Sequence, residues 1–160
     1  MELERVFKEL NAWIAEKNQE FSEEGVLTLP RCTIRVLGQT ALLEAGTDLP
    51  LAATKDVDVY ADYEHVVQVK FEELLRARGK LLDPIGHEAW MPKETKYLTV
   101  FDGSHVKGQI AAPEYVLLSK ALKAPEKNRA LIVEYLSSGP SELFLQLAEK
   151  YRLDLGRFVR

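Results

Sequence analysis

The sequence predicts an α+β fold, with a small mixed β-sheet, helices packed on it, and a helical part from about residue 113. Three observations lead there. Two short β-branched runs, at 31–37 and 56–60, are each bounded by turn residues and read as strands. Segments 2–17 and 64–78 carry apolar residues at helical spacing, so helices and strands alternate. Beyond Pro113 one helical pattern follows another with no further strand. The 160 residues are read as one domain, long enough to bury a sizeable core.

Each element has its own signal. In the first helix Leu3, Val6, Phe7, Leu10, Trp13 and Ile14 form the apolar stripe, and Ser22-Glu23-Glu24-Gly25 closes the segment. The strand Cys32-Thr33-Ile34-Arg35-Val36-Leu37 runs into Gly38, and residues 40–45 read as a short helix stopped by Gly46. After the strand at 56–60, Val67, Phe71, Leu74 and Leu75 mark a helix that Gly79 caps. Leu81 and Leu82 suggest a short strand before Asp83-Pro84. Residues 96–102 read as a strand, Asp102-Gly103 as a turn, and 105–110 as its antiparallel return. Helices are expected at 113–123, 126–137 and 140–151, the first opened by Pro113.

Composition narrows the function classes. The apolar fraction of 46% and the charged fraction of 29% are those of an ordinary globular protein. No apolar stretch reaches the length of a membrane span, and the amino terminus lacks the basic start and apolar core of a signal peptide. Cys32 is the single cysteine and has no internal partner, so a cytoplasmic location is expected. The net charge of −4 argues against non-specific nucleic-acid binding. The charge is uneven: residues 1–92 carry 10 basic and 17 acidic side chains, whereas residues 93–129 carry 7 and 4. That basic stretch suits an anionic substrate or, equally, a solvated helix face.

The run Thr54-Lys55-Asp56-Val57-Asp58-Val59-Tyr60 carries the most chemistry. Alternation along a strand puts Asp56 and Asp58 on one face, about 7 Å apart at the backbone. Two carboxylates so placed relieve their repulsion by binding a hard cation such as Mg²⁺, which favours carboxylate and phosphate oxygens. An edge strand with its acids in water has the same pattern. Gly38-Gln39-Thr40 lies between a strand and a helix, where glycine permits a turn and a close ligand approach and free N–H groups attract phosphate. Thr40 reads equally as an ordinary cap. Lys120 lies at the edge of an apolar helical stripe, where it either snorkels to water or meets phosphate.

These residues carry a resemblance. Val36 to Leu43, followed by Thr54-Lys55-Asp56-Val57-Asp58-Val59, is similar to the nucleotidyltransferase fold of the DNA polymerase β superfamily. The likeness is greatest to minimal bacterial, abortive-infection toxin-type nucleotidyltransferases, and Val106 to Ala124 extends it. The resemblance implies that Gly38, Gln39, Thr40, Lys55 and Lys120 bind nucleotide and that Asp56 and Asp58 hold Mg²⁺. It implies a third carboxylate on a later strand. The matching position is Thr99, which does not ionise, leaving Asp102 as the third catalytic acid if a bulge turns it to the same face. Asp102-Gly103 reads equally as a plain turn. Gln39 stands where the family has glycine or serine, and Lys127-Asn128-Arg129-Ala130-Leu131 lacks an acid the family often has there.

The expected activity is Mg²⁺-dependent transfer of a nucleoside monophosphate from a nucleoside triphosphate to a hydroxyl of a protein, an RNA or a small molecule. The alternative is a catalytically degenerate binding module or toxin–antitoxin partner. No membrane partner is expected; a homo-oligomer or a partner protein remains open.

Overall fold

The computed structural model describes residues 2–159, and they form an α+β fold of six α-helices and a five-stranded mixed sheet. In chain order the elements are α1 (Glu2–Glu23), β1 (Cys32–Leu37), α2 (Gly38–Glu44), β2 (Asp56–Ala61), α3 (His65–Arg76) and β3 (Leu81–Leu82), then β4 (Tyr97–Asp102), β5 (Val106–Ala111), α4 (Pro113–Lys123), α5 (Arg129–Ser137) and α6 (Glu142–Lys150). Short 3-10 turns occupy Gly86–Glu88 and Leu155–Phe158.

The sheet order is β3-β2-β1-β5-β4. β1 is central, antiparallel to β2 and parallel to β5, while β2 and β3 are parallel and β4 and β5 form an antiparallel hairpin. One face is apolar. Ile34, Val36, Val57, Val59, Val106 and Ile110 are buried there, with the apolar stripe of α1 (Leu3, Val6, Phe7, Leu10, Ile14) and Val67, Phe71 and Leu75 of α3 in the same core. Phe7 and Phe71 stack at 6.1 Å between ring centroids, joining the two helices. The opposite face carries Thr33, Arg35, Asp56, Asp58, Tyr60, Lys107 and Gln109, as strand alternation and the pairing register require.

Several elements depart from the sequence expectation at their ends. α1 runs to Glu23 rather than 17. Asn18, within that extension, bonds both the N–H and the carbonyl of Leu29, latching the chain that leads into β1. α5 begins at Arg129 rather than 126, after a turn that follows Pro125. α6 begins at Glu142, because Ser141 takes the cap position and its hydroxyl accepts the N–H of Phe144 at 3.2 Å. β4 contains a bulge between Thr99 and Phe101.

Candidate functional site

Asp58 projects from β2 into a clamp formed by two glycines. Gly38, at the β1–α2 junction, has φ +63°, a left-handed conformation that glycine adopts without strain. A Cβ there would fall 3.0 Å from Asp58 Oδ2. Gly86, in the 3-10 turn that crosses β2, is closer still: a Cβ would fall 2.7 Å from both the Cα and Oδ1 of Asp58. The carboxylate is thus wedged between two stretches of backbone. Its Oδ1 is buried and receives no hydrogen bond.

The acid that acts most strongly on Asp58 is Asp83, which directly follows the Leu81-Leu82 strand. β3 runs parallel to β2, and the N–H of Asp83 continues that ladder by donating to the Val57 carbonyl at 2.9 Å. This sets the Asp83 carboxyl beside Asp58, while Asp83 Oδ1 accepts the Ile85 N–H at 3.0 Å. Burial, then repulsion from Asp83, then the charge of Asp56 hold Asp58 above the usual carboxylate range, and Lys120 pulls it back. Once either acid is protonated, the two can share that proton in a hydrogen bond.

Asp58 opens into a cavity of about 300 Å³ between the sheet end, the 89–91 segment and the α4–α5 junction. Gly38, Asp58, Trp90, Lys120, Lys123 and Lys127 line it. The ammonium of Lys123 lies 4.9 Å from the centre of the Trp90 ring. Burial and the neighbouring Lys127 hold Lys120 below the usual lysine range, and Asp58 works in the opposite direction. Three lysines from one helix end and its following turn share the cavity with a single carboxylate and an aromatic wall, so its lining is predominantly cationic.

The structure therefore brings Gly38, Asp58 and Lys120 together, with Asp56 two residues away on the same strand face. Thr40 serves the fold instead: it is 2% exposed, and its hydroxyl donates to the Asp56 carbonyl at 2.9 Å, tying α2 to β2. Gln39 donates to the Ala52 carbonyl at 2.9 Å. Lys55 is exposed just before β2, and neither Gln39 nor Lys55 lines the cavity.

Asp102 requires a correction. The bulge at Val100 does return it to the face of Thr99, since Thr99 pairs with Gln109 and Asp102 with Lys107. The sheet order nevertheless separates β4 from β2 by three strand spacings, about 14 Å. Asp102 is also level with Thr33, whereas Asp58 is level with Leu37, at the opposite end of β1. It forms an ion pair with Arg31 and cannot share a cation with Asp56 and Asp58. Thr99 is likewise remote; its hydroxyl accepts from Gln109 Nε2 at 3.2 Å.

Asp83 and the lysine pair Lys123 and Lys127 were missed at the sequence level. A parallel continuation of β2 through Leu81-Leu82 would have aligned Asp83 with Asp58, and the i, i+3 spacing of Lys120 and Lys123 was visible.

The carboxylates fit a hard divalent cation in part. Asp58 offers a buried oxygen without a hydrogen bond, and Asp56 shares its face. Among the described residues, however, no group of three or more His, Cys, Asp or Glu side chains is arranged to hold a metal ion. The remaining ligands would be water and phosphate oxygens, which is how Mg²⁺ is commonly held. Among the described residues no helix is long and apolar enough to cross a membrane. Comparison of the chain with protein-family models, with curated proteins and with solved structures gave no match.

Proposed function

We propose that this chain is a Mg²⁺-dependent nucleotidyltransferase that binds a nucleoside triphosphate between the Gly38–Asp58 contact and the lysines of the α4–α5 junction. One observation carries the reading: Gly38, Asp58 and Lys120, far apart in sequence, line one cavity with Lys123, Lys127 and Trp90. The lysines neutralise the triphosphate, and Trp90 offers a flat apolar surface beside them. Asp56 and Asp58 would hold the cation, which would supply charge neutralisation at the reacting phosphate.

In the reaction an acceptor hydroxyl oxygen bonds to the α-phosphorus. The bond from that phosphorus to the bridging oxygen breaks, and pyrophosphate leaves with its electron pair. Asp58, the one carboxylate that lines the cavity, accepts the hydroxyl proton directly or through a water, and Asp83 beside it raises its affinity for that proton. The acceptor is a hydroxyl of a protein, an RNA or a small molecule.

A second reading, binding without transfer or service as a toxin–antitoxin partner, draws on a specific observation. β5, the strand on the far side of β1 from β2, presents Gln109 rather than an acid, and Gln109 is 8% exposed with its amide engaged on both sides. Incubation with α-labelled nucleoside triphosphates and Mg²⁺ separates the two. Label transfer that disappears in Asp58→Asn supports the enzyme. Saturable nucleotide binding with no transfer to any acceptor supports the module. Failure of Mg²⁺–nucleotide to shift the melting temperature would remove both readings.

A further inference from the structure

The open face of the sheet holds an arginine positioned for a ligand. Arg35 stands on the central strand, and its Nε donates to Gln109 Oε1 at 3.1 Å. Gln109 is itself fixed, because its Nε2 donates to Thr99 Oγ1 at 3.2 Å. The Tyr97 ring lies 4.7 Å from the guanidinium carbon and supports its plane. Three side chains from β4 and β5 thus hold one guanidinium, and Arg35 forms no ion pair among the described residues. Its terminal N–H groups remain available, a fork suited to two oxygens of one oxyanion.

These groups border a concavity of about 450 Å³ lined by Thr33, Arg35, Tyr60, Ala61, Asp62 and His87. Arg35 pairs across the ladder with Tyr60, which is two residues from Asp58 on the same strand face. Arg35 is therefore diagonal to Asp58, one strand over and about 7 Å along. A small molecule anchored on Arg35 can extend a neighbouring group to the Asp58 clamp.

We propose that Arg35 binds the phosphate or carboxylate of a small hydroxyl-bearing molecule. In the nucleotidyl-transfer reading, on which this role rests, that molecule is the acceptor. Asp62 lines the same concavity and disfavours a polyanion there; its Oδ1 accepts the Thr33 N–H at 2.7 Å, which fixes its negative charge beside the Arg35 site. Together with the net charge of −4, this favours a small molecule with a single oxyanion group over a nucleic-acid strand.

The test is a ¹⁵N–¹H titration of the whole chain with glycerol phosphate, lactate, neutral glycerol and a short RNA, each without nucleotide. The expected result is saturable movement of the Thr33, Ala61 and Asp62 amides with one or both small anions and none with glycerol. Affinity should fall about tenfold or more in Arg35→Gln, the loss of a charge-assisted pair, and less in Arg35→Lys. Response to glycerol phosphate alone, or to lactate alone, identifies the oxyanion. Equal responses to glycerol and the anions, binding of RNA only, or unchanged affinity in Arg35→Gln would overturn the proposal. The wild-type titration stands even if a variant fails to fold. A parallel ATP–Mg²⁺ titration read at Gly38 and Lys120 keeps the two readings apart. Anion binding with no ATP response preserves the Arg35 site and removes the nucleotide role, whereas an ATP response with no anion binding does the reverse.

Discussion

Gly38→Ala probes the contact that defines the site, and Gly46→Ala is its control. Both glycines have left-handed φ, +63° and +68°. A Cβ at Gly46 meets nothing within 4 Å, whereas one at Gly38 falls 3.0 Å from Asp58 Oδ2. The left-handed conformation costs an L-residue about 1–2 kcal/mol. Restriction of the unfolded chain returns about 0.4–1 kcal/mol of that. Gly46→Ala should therefore destabilise by about 1 kcal/mol. Gly38→Ala adds the displacement of a carboxylate that Gly86 blocks from behind, and overpacking of this kind costs about 1–3 kcal/mol. The expected total is about 2 kcal/mol or more. Urea unfolding followed by the fluorescence of Trp13 and Trp90 measures both variants. In an Asp58→Ala background the difference between them should vanish. Equal destabilisation of the two in the wild-type background would show that Gly38 does not pack on Asp58, and the clamp would have to be abandoned.

Three further outcomes are expected. Asp58 holds its proton more tightly folded than unfolded, so stability falls as pH rises from the unfolded value of about 3.9 through the raised folded value. Asp58→Asn should therefore raise the urea midpoint at pH 7 and leave it unchanged or lower near pH 3; a lower midpoint at pH 7 would contradict this. Lys120 is depressed by burial and Lys127, so the fold gains stability as pH rises past its folded value. Lys120→Met should raise the urea midpoint at pH 7, with triphosphate binding weakened about tenfold or more by calorimetry; unchanged binding would remove Lys120 from the site. The Cys32 thiol is 2% exposed and pushed up to about 11, mainly by burial. A disulfide reagent at pH 8 should label it only at the rate of unfolding, and rapid native labelling would show that the start of β1 opens locally.

Local pattern made much of the fold legible. The alternation in 56–60 located β2 and the shared face of Asp56 and Asp58, because a strand's period is a property of its own residues. The apolar stripe of α1 and the Pro113 start of α4 were readable for the same reason. Asp102 went wrong for a non-local reason: alternation and a bulge decide its face, but the sheet order decides its distance, and strand neighbours are not written in either strand. Asp83 was hidden likewise, since a two-residue strand has no period to read and only its pairing with β2 sets it beside Asp58. The Arg35–Gln109–Thr99 row spans three strands and was invisible for that reason.

The β1–β5 seam has a consequence for how the molecule forms. Arg35 and Gln109, bonded across it, lie 74 residues apart. The Asp58 clamp belongs to the segment before β4, and its lysines follow β5, so neither half of the chain contains the whole cavity. Closing that seam requires the large loop entropy of a distant pairing and should come late, after the local β4–β5 hairpin and the helices. A nascent or partly folded chain then has exposed acids in one half and unopposed lysines in the other. Any ligand that bridges them acts as a latch on the last step of folding, and its removal should loosen the seam before the rest of the sheet.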